Sequence, residues 1–165
     1  MKQLWAPWRG EYLSQMGGEC QDCLFCDLRK QQDDKKSLVL YRGKQALVVM
    51  NRYPYNSGHL MVAPLRHVAS FEGLTPAEGT ELLALLKMSL KALRQEFKPQ
   101  GFNIGANLGA VAGAGVTGHL HLHIVPRWQG DTNFMPLFTE TKVVSEHLEK
   151  SYERLIRRFC RTKVR

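Results

Sequence analysis

The stretch Gly118-His119-Leu120-His121-Leu122-His123-Ile124-Val125-Pro126 alternates imidazole with aliphatic side chains. Successive side chains of a strand point to opposite faces, so His119, His121 and His123 share one face while Leu120, Leu122 and Ile124 share the other. One face suits a core and the other suits chemistry. A lone strand histidine is commonly a satisfied polar residue. Three in strict alternation are hard to explain as structure, and imidazole is the side chain best able to titrate, attack or ligate near neutral pH.

Working outward, β-branched and apolar residues dominate 38–41, 46–50 and 60–63, with polar or Gly/Pro/Asn segments between them, and these read as successive strands. Thr75-Pro76-Ala77-Glu78 predicts a helix start: a threonine cap, proline at the first helical position, and glutamate placed for a capping box. Leu82, Leu83, Leu86, Leu90, Leu93 and Phe97 then recur at helical spacing, carrying the helix to about Phe97. Residues 102–107 predict another strand, 109–118 a Gly/Ala-rich loop, 119–127 the histidine strand, and 144–159 a final helix. This order favours an α+β fold: a mainly antiparallel sheet with a long helix and a C-terminal helix. Residues 1–37 are expected to form an irregular leader. No repeat or linker divides the chain, so 1–165 is expected to be one domain.

The length of 165 residues suits one core. With 44% hydrophobic and 23% charged residues the composition is that of a globular chain and excludes wholesale disorder. No apolar run approaches the ~18 residues that span a bilayer. The start of the chain lacks a signal-peptide pattern, so a cytoplasmic protein with no membrane partner is expected. The formal net charge is +8. Much of it lies in a basic tail over 150–165, where Lys150, Arg154, Arg157, Arg158, Arg161, Lys163 and Arg165 face one acid, Glu153. No nucleic-acid-binding motif accompanies the tail, so a solvated helix end is expected rather than a nucleic-acid contact.

Upstream of the histidines, Gly113-Ala114-Gly115-Val116-Thr117-Gly118 can bring backbone N–H groups close to a phosphate. A nucleophilic histidine beside such a cradle points to nucleotidyl or phosphoryl transfer. The cysteines are Cys20, Cys23, Cys26 and Cys160, three of them in a C-x-x-C-x-x-C run that is too dense for a disulfide framework. The run suits zinc or a redox couple. Cys23-Leu24-Phe25-Cys26 is the better zinc pair because its inner residues are apolar, and Cys20 with Cys23 is the alternative.

The intact HLHLHIV pattern resembles the histidine triad (HIT) superfamily of nucleotide hydrolases and transferases. The likeness extends to Val49-Met50-Asn51-Arg52-Tyr53-Pro54 and Gly58-His59-Leu60-Met61-Val62-Ala63-Pro64, and covers roughly residues 23–136. Leu4-Trp5-Ala6-Pro7-Trp8-Arg9 and Pro126-Arg127-Trp128, continued by Gly130-Asp131-Thr132-Asn133-Phe134, are similar to the bacterial branch related to diadenosine tetraphosphate phosphorylases. The resemblance implies that His121 attacks the α-phosphorus to form a nucleotidyl-histidine. It implies that His123 holds the neighbouring network in register and that His59 is an orienting partner behind the triad. Asn51 would lie near the ribose, and Asn107, Gly115, Val116 and Thr117 near phosphate oxygens. The substrate implied is an adenine dinucleoside polyphosphate, with water or phosphate as the acceptor. A phosphoramidase or a zinc-stabilised nucleotide-binding protein with weak catalysis are the alternatives.

Many members carry glutamine four residues before the first triad histidine, where this chain has Gly115; the departure weighs against the ordinary phosphoramidase subgroup. His123 weighs against uridylyl transferases, in which glutamine replaces the third histidine. A zinc-bearing subset places ligands at positions matching Cys23, Cys26, His67 and His119, so His119, the first member of the triad, would also serve the metal. The resemblance further implies a homodimer.

Overall fold

The computed structural model describes residues 23–131 and 146–160. Residues 4–9, Cys20, 132–134 and 161–165, on which sequence expectations fall, lie outside the described residues.

Among the described residues two short helices come first, α1 over Leu24–Lys30 and α2 over Asp34–Ser37, in a segment expected to be irregular. Strands β1 (Val39–Arg42), β2 (Ala46–Met50) and β3 (Leu60–Pro64) follow. Next come helix α3 (Pro76–Phe97), strands β4 (Gly101–Gly105) and β5 (Leu122–Arg127), and helix α4 (Leu148–Cys160). The sheet order is β1-β2-β3-β5-β4, and every neighbouring pair is antiparallel. The expected α+β class is the observed one.

The capping box of α3 is complete. Thr75 accepts from the Glu78 amide, and Glu78 accepts from the Thr75 amide at 2.8 Å. Glu78 also holds Arg66 through two hydrogen bonds of 2.8 and 2.7 Å, tying the helix start to the segment after β3. The buried stripe of α3 runs through Leu82, Leu85, Ser89, Ala92 and Leu93, whereas Leu83 is 53% exposed. The expected stripe is therefore rotated, with Leu85 taking the place assigned to Leu83.

Register decides which side chains share a face. Met61 pairs with His123, Val49 with Met61, and Gly105 with His123, so these positions lie on one face. Leu60, Val62, Leu122 and Ile124 point to the other, where α3 crosses β2 and β3. Helix α4 packs on β1 and α3, burying Tyr152, Leu155 and Phe159. The basic residues from Lys150 to Arg158 ride on this helix, and Arg154 and Arg158 are paired with Glu96.

The histidine strand begins at Leu122, later than expected, and His119 and His121 precede it. The last β3–β5 pair is Val62 with Leu122. Beyond it stands Pro64, which has no N–H to offer and whose carbonyl lies 2.8 Å from His119 Nε2. Strand β4 likewise ends at Gly105, opposite His123, and not at Asn107.

Candidate functional site

The three triad histidines lie together but serve two places. His119 and His121 are 1% and 5% exposed, and His123 is half-buried. The His121 and His123 rings stand 4.8 Å apart, edge to face. His119 turns instead toward His67, 5.2 Å away, and toward two thiols.

Hydrogen-bond partners assign the ring protons. His121 Nδ1 lies 2.8 Å from the His119 carbonyl, an acceptor only, so Nδ1 carries the proton and Nε2 keeps a lone pair. The second chain starts at the Tyr55 amide, which donates to His59 Nδ1 at 3.1 Å. His59 Nε2 must then carry the proton and donate to His123 Nδ1 at 2.9 Å, leaving the single N–H proton of the neutral His123 ring on Nε2. Neighbouring imidazoles thus hold opposite tautomers: His121 offers a lone pair and His123 an N–H. Burial also lowers the His121 pKa from its ordinary value, favouring the unprotonated ring, although the bond to the His119 carbonyl opposes this.

His59 is fully buried, stacked on Tyr55 at 4.8 Å and 26°. No sequence motif singles out Tyr55; its position four residues before His59 is the one signal that it belongs here. Asn51 Nδ2 lies 3.4 Å from His59 Nδ1. Asn51 lines a cavity of about 130 Å³ walled by Leu24, Leu28, Val49, Met61 and Tyr53. On the other side of the triad, His123, Gly105, Asn107, Asn103, Tyr55 and Arg127 line a cavity of about 400 Å³. Asn107 donates to the Gly113 carbonyl at 3.1 Å, closing the loop before the triad. Gly109 and Gly113 sit there at φ of 81° and 80°, the region glycine favours. Within the loop Val116 is buried at 8%, so its side chain belongs to the core, while Thr117 is exposed.

The four residues expected to hold a metal converge. Cys23, Cys26, His67 and His119 each bring one ligand atom within 4.8 Å of all the others. Cys23 Sγ is 3.2 Å from His119 Nδ1, Cys26 Sγ is 3.3 Å from His67 Nδ1, and Cys26 Sγ is 3.7 Å from His119 Nδ1. Tetrahedral zinc with ordinary Zn–S and Zn–N lengths separates sulfur from nitrogen by about 3.5 Å, so the set fits zinc. The proton of His119 lies on Nε2, which donates to Pro64, leaving Nδ1 free to ligate. Burial, aided by the nearby His67 and His121 and opposed by the Pro64 bond, lowers the His119 pKa to about 4, keeping the ring neutral as a ligand requires. His147 and Cys160 are exposed, away from this set.

The chain matches the HIT domain family over residues 32–130, a span that includes β1 to β5 and the whole triad. The chain belongs to the HIT family. It is 37% identical to the AP-4-A phosphorylase of Mycobacterium tuberculosis over 168 residues, covering 98% of this chain and 86% of that protein. It is 35% identical over 115 residues to the bis(5'-nucleosyl)-tetraphosphatase [asymmetrical] of Schizosaccharomyces pombe, covering 70% of this chain and 59% of that one. The fold is similar to that of a Zn-bound histidine triad family protein from Mycobacterium smegmatis. That comparison has a TM-score of 0.68 at 24% identity and covers 87% of this HIT chain and 96% of the other.

Proposed function

We propose that this HIT protein is an enzyme that cleaves dinucleoside polyphosphates of the diadenosine tetraphosphate type by way of a nucleotidyl-histidine. The observation that carries the reading is the pair of opposite tautomers on adjacent rings, His121 with its Nε2 lone pair and His123 with its Nε2–H. In the first step His121 Nε2 attacks the α-phosphorus and the bond from that phosphorus to the bridging oxygen breaks. The electron pair leaves with the departing nucleotide, while His123 Nε2–H donates to an oxygen of the phosphoryl group, where charge develops. In the second step water or inorganic phosphate attacks the same phosphorus, breaks the P–N bond and restores His121. The relatives named for a phosphorylase and a tetraphosphatase support this substrate class.

The nucleoside would enter the slot between α1 and β2, with Asn51 at its polar end, and phosphate oxygens would meet Asn107 and the backbone of Gly115 to Thr117. Zinc would be held by Cys23, Cys26, His67 and His119 and, when bound, would supply a cross-link through four ligands between α1, the segment after β3 and the triad. The edge of β4 and the exposed Ile104, Leu108 and Val111 support a homodimer formed across that edge. Among the described residues no helix is long and apolar enough to cross a membrane. We take residues 1–165 as one domain of a cytoplasmic protein without a nucleic-acid partner.

Incubation with diadenosine tetraphosphate, with and without phosphate, tests the reading. ADP and ATP formed only with phosphate identify a phosphorylase; AMP and ATP formed in its absence identify a hydrolase. No turnover under either condition would sink the proposal, as would full activity in His121→Asn.

A further inference from the structure

Helix α1 has only seven residues, too few to hold together by its own hydrogen bonds, and Cys23 at its N-cap makes no side-chain cap. Its place is fixed by what its side chains touch. Cys23 and Cys26 meet the two metal-site histidines, and between them in sequence Phe25 is fully buried. The Phe25 ring lies 5.0 Å from His119 and 4.9 Å from His121, tilted by 45° and 35°. One side chain of the thiol turn therefore rests on both a metal-site imidazole and the imidazole read above as the nucleophile.

Among the described residues the His121 ring has one polar anchor, the bond from Nδ1 to the His119 carbonyl. A single hydrogen bond fixes the tautomer but leaves the ring able to rock about it. Phe25 at 4.9 Å and His123 at 4.8 Å bracket the ring and remove that freedom. An attacking nitrogen displaced by about 1 Å can lose 100-fold in rate, so this bracket bears on the chemical step.

We propose that Phe25 is a positioning residue for nucleotidyl transfer, holding the His121 imidazole in its attacking orientation while the Cys23, Cys26, His67 and His119 set holds Phe25. The proposal rests on the reading of His121 as nucleophile. It makes the thiol turn part of the reaction's alignment as well as part of the fold, because His119 is fixed through its side chain while its carbonyl fixes His121.

The test uses the full chain loaded with zinc and diadenosine tetraphosphate as the probe. Phe25→Ala should lower kcat about 100-fold, leave KM within about 3-fold and keep the zinc content of the wild type. Phe25→Leu, which refills much of the space, should recover most of kcat and serves if the alanine variant fails to fold. In 15N-labelled protein the His121 ring should show the Nδ1–H tautomer in the wild type and tautomer exchange in Phe25→Ala. Three results would overturn the proposal: an unchanged kcat in a zinc-loaded alanine variant, a raised KM with kcat intact, which makes Phe25 a wall of the nucleoside slot, or activity that falls only in step with zinc. Failure of the nucleophile reading is separate, since it appears as activity in His121→Asn with Phe25 untouched.

Discussion

His59 Nε2 lies 2.9 Å from His123 Nδ1, and because His59 Nδ1 already receives the Tyr55 amide, the proton between the rings belongs to His59. His123 thereby presents an N–H to the cleft. His59→Ala frees the His123 ring to take either tautomer, and turnover of diadenosine tetraphosphate should fall about 10-fold to 100-fold. His59→Gln, with a carbonyl to accept and an amide to donate, should recover part of the loss. Equal activity in the alanine and wild-type proteins would mean that the proton chain has no bearing on turnover.

Purified without chelators, the protein should contain one zinc per chain by elemental analysis. Cys26→Ser should lose most of it, and the melting temperature should drop by about 10 °C, as expected when a ligand that binds only the folded state is withdrawn. A metal-free preparation that melts with the wild type would remove zinc from the account.

Gly118 faces the metal set from the loop side. A Cβ there would stand 3.1 Å from His67 Nε2 and 3.4 Å from its Cε1, so the ring must give way by a few tenths of an ångström. Gly118→Ala should weaken zinc retention in a chelator competition by roughly 10-fold while leaving secondary structure unchanged. Unaltered retention would show that His67 has slack.

The Glu78 carboxylate gives a pH signature of stability. Hydrogen bonds from Arg66, then from the Thr75 backbone, lower its pKa from 4.5 to about 2, against the opposing effect of burial. A folded-state value below the unfolded one contributes stability above pH 4.5 that is lost as pH falls from 4.5 toward 2. The melting-temperature gap between wild type and Glu78→Gln should therefore be full at neutral pH and close over that acid window. A gap that does not vary with pH would contradict the pairing with Arg66.

Ile104 lies on the edge strand β4 with 46% of its surface exposed. Ile104→Lys puts a charge on that edge and should convert a dimer to a monomer in sedimentation analysis. A wild-type protein that sediments as a monomer would dispose of the dimer proposal at once.

What could be read in the sequence was local or strictly periodic. The start of α3 at Pro76 follows from Thr75, Pro76 and Glu78, three adjacent signals that the structure uses together. The convergence of Cys23 and Cys26 with His67 and His119 came by way of family resemblance, since no spacing rule joins positions so far apart. Helix α1 escaped because seven residues carry little periodic signal and depend on contacts made by Phe25. The late start of β5 depends on Pro64, a residue of another strand, and the tautomers of His121 and His123 depend on a carbonyl and an amide that carry no side-chain identity. The stripe on α3 was displaced because leucine occupies more than one face of that helix, and only the sheet decides which leucines are covered.

The thiol–imidazole cluster also has a meaning in time. Its contacts join residues 96, 93 and 41 positions apart. During synthesis the thiols emerge first and wait for His119, which arrives only after β1, β2, β3, α3 and β4 have been made. A nascent chain that stops short of that point can pair β1, β2 and β3, yet it lacks the thiol–imidazole clasp and the ring proposed to attack together. On the proposed reading of His121, half-made copies are chemically silent, and competence arrives in one late closure.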